Sequence, residues 1–172
     1  MSYDLLVFEP SAAPRDRAEF LKWWSAQSQW TEKHGYNDPS VPPLVLQSWY
    51  NEITATFPNL NGPGVSDDEI GPRHTDYTLG QSLIYAGFAW TEAETAYPLV
   101  RELAVKHQVG FFDASCDEPE PEIYFPGDSL RPPSGGSWRT IAADFRSGDL
   151  SKYMPQQTAP KRRWFDLFRR KK

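Results

Sequence analysis

The sequence predicts an α+β fold, and three observations carry that prediction. Short apolar runs recur at Tyr3–Phe8, Leu83–Ala89 and Val109–Phe112, each too brief for a helix and each bounded by turn residues. Longer stretches between them repeat their apolar residues at helical spacing. Aromatic residues make up 15% of the 172, seven of them tryptophan, so large rigid side chains are available to fill one sizeable core.

Each element follows from local chemistry. YDLLVF (3–8) is apolar and closed by Pro10, the pattern of a buried strand. Pro14 opens a helical stretch with Ala18, Phe20, Trp23, Trp24 and Trp30 near one face, and HGYNDPSVPP (34–43) breaks it. A cleaner stripe follows from Leu44: Leu46, Trp49, Tyr50, Ile53 and Phe57, stopped by Pro58. Residues 59–76 form a long polar loop, of the kind that is often functional. Tyr77–Leu79 and Leu83–Ala89 make a hairpin around Gly80–Gln81. TEAE (91–94) reads as a capping box that starts a helix running to His107, with Ala93, Ala96, Tyr97, Val100, Leu103 and Ala104 on one face. Val109–Phe112 is the next strand and Ile123–Phe125 an edge strand. A loop then leads to a short helix around Arg139–Arg146.

The order strand, helices, strand, strand, helix, strand is the ferredoxin-like pattern with an extra helix in the first crossover. It predicts an antiparallel sheet in the order 4-1-3-2 with helices on one face. The irregular C-terminal extension is then left to cover the other. A single domain is expected over residues 1–148, with a polar linker and basic tail over 149–172.

Charge divides the chain in two. The net charge at pH 7 is -5, yet the last twelve residues, KRRWFDLFRRKK, hold seven basic residues against one acid. Residues 1–160 hold eleven basic and twenty-two acidic residues, a net of -11. An acidic body repels nucleic acid and favours a basic partner. The tail is expected to fold back on that body or fray, because four apolar residues (Trp164, Phe165, Leu167 and Phe168) give no stable membrane association. One cysteine forms no internal disulfide, and MSYDLLVFEP is neither signal peptide nor membrane span, so the cytoplasm is the expected compartment.

MSYDL, FPNLNGP, TDYTLGQSLIYAGFAW, the helix after it and HQVGFFDAS together resemble a group of uncharacterised bacterial proteins that begin with a "SYDL" strand. Several of those resemble immunity or accessory proteins encoded beside secreted polymorphic toxins. The resemblance spans roughly residues 1–125 and its motifs are structural. Where such proteins often read Asp-Pro-Gln after the last strand, this chain has Asp113-Ala114-Ser115. The resemblance implies a fold and a biological role, not a reaction.

Candidate sites were weighed on chemistry. Ser115 and Cys116 have no histidine nearby in sequence to serve as base, and no nucleophile motif surrounds them. Asp113 reads as a strand-ending carboxylate bonded to the following turn. No phosphate loop is present, and GFF (110–112) lacks the adjacent basic residues of an RNA-recognition strand. The predicted topology brings Asp4, Asp76 and Asp113 to one end of the sheet, where three carboxylates could hold Mg²⁺. That arrangement supports the alternative reading, a small enzyme or ligand- or metal-binding domain, with Trp90, Phe112 and Tyr124 as possible pocket walls.

The favoured expectation is a non-enzymatic, cofactor-free interaction protein, immunity-like, that neutralises a toxin domain. Its basic partner is met by two acidic loops, at Asp67, Asp68 and Glu69 and at Asp117, Glu118, Glu120 and Glu122.

Overall fold

The apolar run at the start of the chain becomes the central strand of the sheet. The structure is a computed structural model that describes residues 2–66, 68, 70–116, 121–129, 138–150 and 153. In chain order its elements are β1 (Tyr3–Phe8), α1 (Arg17–Gln27), α2 (Leu44–Ile53), β2 (Asp76–Leu79), β3 (Leu83–Phe88), α3 (Ala93–Lys106), β4 (Gly110–Asp113), β5 (Ile123–Tyr124) and α4 (Trp138–Ser147). The strands form one antiparallel sheet in the order β2-β3-β1-β4-β5. Within it the expected order 4-1-3-2 is found, and β5 extends it beyond β4.

Alternation along β1 divides the core. Tyr3, Leu5 and Val7 join a cluster on one face with Ile84, Ala86, Phe88 and Phe111 of the neighbouring strands. Helices α2 and α3 close that face with Leu46, Trp49 and Ile53 and with Ala96, Tyr97, Val100 and Leu103; α4 adds Trp138 and Ala142. Leu6 and Phe8 point the other way, into a second cluster with Leu83, Phe112, Phe125 and Phe20 of α1.

This corrects one expectation. The second face is covered chiefly by α1, from within the first crossover. The C-terminal helix packs on the first face beside α3. Helices therefore lie on both sides of the sheet, which a strand buried on both faces requires. The helix start is also different. Trp90–Glu92 forms a 3₁₀ turn in which Glu92 N–H donates to the Ala89 carbonyl, and no side chain caps α3. The capping box at Thr91 is not formed, because the 3₁₀ turn moves the helix start past the threonine.

Two contacts set how the elements meet. Gly110 lies so close to the Phe8 ring that an added Cβ would fall 2.2 Å from its carbons, so the β1–β4 contact requires glycine. At the other end of α3, Glu52 of α2 accepts from Lys106 Nζ at 2.5 Å and meets His107 Nε2 at 2.7 Å. Lys106, and then His107, hold the Glu52 carboxyl below its ordinary value.

Two outcomes follow. Gly110→Ala should cost about 1–3 kcal/mol or more in urea unfolding, the usual range for overpacking a core. A carboxyl whose pKa is lowered by folding stabilises above its unfolded value, near 4.5, and loses that contribution as pH falls through the folded value. Glu52→Gln should therefore flatten the acid limb of the stability–pH profile while leaving its alkaline limb unchanged.

Candidate functional site

One end of the sheet collects the candidate carboxylates. Asp4 and Asp76 both lie opposite Gly87, one on each side of it, and Asp113 lies opposite Leu5 in the adjoining row. The expected clustering in one region of the sheet is therefore found. Face is another matter. Paired residues in an antiparallel ladder share a face, so Asp4 and Asp76 stand with Tyr85 and Leu6, whereas Asp113 stands with Leu5 on the opposite side. The sheet separates the three carboxylates that a shared cation would need, and this corrects the metal arrangement. Among the described residues no group of three or more His, Cys, Asp or Glu could hold a metal ion.

The stretch after β4 has a structural task. Asp113 is fully buried, and its Oδ1 accepts from the Ser115 N–H at 3.2 Å. Ser115 Oγ accepts from the Asp4 N–H at 2.7 Å, and Ser115 N–H donates to the Asp4 carbonyl at 3.1 Å. The Asp-Ala-Ser turn thus clips the beginning of β1 in place, as a strand-ending Asx turn would. The histidines are engaged elsewhere: His34 with Glu32 and the Gly35 carbonyl, His74 with the Gly71 N–H, and His107 with Glu52.

Glu122 departs from the expected acidic surface. It is 6% exposed and immediately precedes β5, opposite Asp113, whose N–H donates to its carbonyl at 3.1 Å. Its Oε2 accepts from Tyr97 Oη at 2.5 Å, and its Oε1 from Arg101 Nε at 2.9 Å and Nη2 at 2.8 Å. Burial, and then the Glu122 carboxylate, push the Tyr97 hydroxyl well above the ordinary range. Burial, followed by Asp113, does the same to Tyr3 beside it. Glu122 is a buried anchor for β5. In sequence it is indistinguishable from the other acids of DEPEPE; only the strand pairing at Ile123 turns it inward.

The other recognition residues stand as follows. Asp68 is exposed. Asp67, Glu69, Asp117, Glu118 and Glu120 lie outside the described residues. The chain enters β2 at Asp76, after the first acidic segment, and leaves β4 at Asp113, before the second. The strands that these segments precede and follow, β2 and β4, thus have Asp76 and Asp113 at the same end of the sheet, three strand spacings or about 14 Å apart. Trp90, Phe112 and Tyr124, the possible pocket walls, are 6%, 4% and 5% exposed and belong to the two core clusters.

Sequence reasoning missed an aromatic group on the second face. Trp24 stacks on Tyr85 with centroids 5.7 Å apart and planes 14° from parallel. Trp30 stands edge-on to Tyr85 at 5.7 Å and to Tyr36 at 5.6 Å. All four rings are half-buried. Burial, and then Asp4 beside it, raise the Tyr85 hydroxyl above its ordinary range, with Asp76 adding to the effect. The visible signal was Trp30, an aromatic continuing the helical stripe past the point where the helix ends.

Compared with protein-family models, curated proteins and solved structures, the chain finds no significant match in any of the three.

The Glu122 anchor has a measurable consequence. Arg101→Met leaves a buried carboxylate without its cation and should cost about 3–5 kcal/mol in chemical unfolding. Adding Glu122→Gln to that variant should recover most of the loss.

Proposed function

We propose that this is a non-enzymatic interaction protein that binds a basic protein partner through its acidic surface. The partner that the SYDL-type resemblance implies is a secreted toxin domain, neutralised in the cytoplasm of the producing cell. The observation that carries this reading is that the strands next to both acidic segments in the chain, β2 and β4, have Asp76 and Asp113 at the same end of the sheet. Asp4 and Asp76 add their charge at the same place. Within a body of net charge -11, such an end concentrates negative potential. A basic partner would be drawn to it and oriented by it, which speeds encounter more than it tightens the final complex.

The other use of these groups, a carboxylate site for a metal or a reaction, is disfavoured by the register. It puts Asp113 behind the sheet from Asp4 and Asp76 and leaves it in the clip that holds β1.

The test uses the product of the neighbouring gene, expressed as an inactive toxin domain, and association kinetics at two ionic strengths. Replacing Glu118 and Glu120 by Gln should slow association several-fold at low salt. The difference should shrink as salt rises, because exposed charges are screened beyond about 8–10 Å near physiological ionic strength. An unchanged on-rate at low salt would remove this segment from recognition. Glu122 is left intact, since neutralising it would disturb the fold.

A further inference from the structure

Resting on that reading, we propose that the aromatic face formed by Trp24, Trp30, Tyr36 and Tyr85, beside Asp4 and Asp76, is where the basic partner seats an arginine side chain.

A guanidinium is planar, weakly hydrated and always charged, so it stacks on aromatic faces while bonding to carboxylates at its edge. Tyr85 lies two residues from Gly87 on the same strand and face. Asp4 and Asp76 flank Gly87, so the aromatic group passes directly into a pair of carboxylates. Position 87 has no side chain of its own; Ser2 and Asp4 Oδ1 pack over it, and Asp76 Oδ1 accepts from Asn61 Nδ2 at 2.8 Å. Half-buried rings next to charges of one sign make a surface complementary to a flat cation.

Trp30 has φ of +51°, in the left-handed region that a bulky side chain rarely adopts. It closes the turn after α1, its N–H donating to the Gln27 carbonyl at 3.0 Å. Glycine or asparagine would fill that position with less strain. The tryptophan ring is held there against Tyr85 and Tyr36, and strained residues concentrate where a ligand is gripped.

Arginines of this chain lie over Phe125, Tyr97 and Trp138. Among the described residues none lies over Trp24, Trp30, Tyr36 or Tyr85.

The experiment titrates the full chain with hexa-arginine and hexa-lysine peptides of equal charge, read by calorimetry at low salt. Hexa-arginine should bind several-fold tighter than hexa-lysine. Trp30→Gly, which also relieves the left-handed strain, should erase most of that preference, a loss of about two- to fivefold for one exposed cation–π contact. Asp76→Asn, at an exposed position, should weaken both peptides. The double Glu118→Gln, Glu120→Gln variant should weaken both peptides equally and leave the arginine preference intact. Equal binding of the two peptides, or a preference that survives Trp30→Gly, would overturn the arginine seat while leaving the acidic-surface reading standing. Failure of both peptides to bind would overturn both. A marked gain in hexa-arginine affinity on deleting residues 161–172 would assign the rings to the chain's own basic tail, and so overturn their assignment to a partner.

Discussion

Burial of β1 on both faces and pairing on both of its edges is the constraint from which the rest of the structure follows. Five of its six residues are completely inaccessible, with β3 on one side and β4 on the other. A strand in that position presents apolar side chains alternately to two sides, and each side must be covered. The first crossover does both jobs. It sends α1 across one face before α2 packs on the other, where α3 and α4 join it. The extra helix is the cover that the second face needs.

The same constraint explains the treatment of the strand ends. A buried central strand needs its first residues held, and the turn after β4 supplies the hold. Asp113 bonds to Ser115, and Ser115 bonds twice to Asp4. One strand further out, β5 pairs through only two residues of β4. So short an edge strand is fixed largely by side chains, and Glu122, gripped by Tyr97 and Arg101, supplies them. A buried carboxylate is costly unless it is paired and hydrogen-bonded. Glu122 is both, which makes it a positional anchor.

What remains at this end of the sheet on the α1 side is available for function. Asp4 and Asp76 share a face with the half-buried aromatic group. Core demands have consumed Asp113, Ser115 and Glu122. The carboxylates facing the other way and the rings beside them carry the proposed contact with a basic partner.

Much of this was legible in the chain alone. The apolar runs and the α3 stripe identified the strands and the face of that helix, because side-chain period reports local geometry directly. The sheet order followed from element order, and the net charge of the body from composition. Three things required the tertiary structure. Whether Asp4 and Asp113 meet depends on the parity of their pairing, and a shift of one residue moves a side chain through the sheet. Whether Glu122 is solvated depends on β5 pairing at Ile123, a contact with no local signature. The aromatic group joins Trp24, Trp30 and Tyr36 to Tyr85, which is distant in sequence. Local pattern determines which residues point the same way within an element; the packing of separate elements alone decides which of those faces meet.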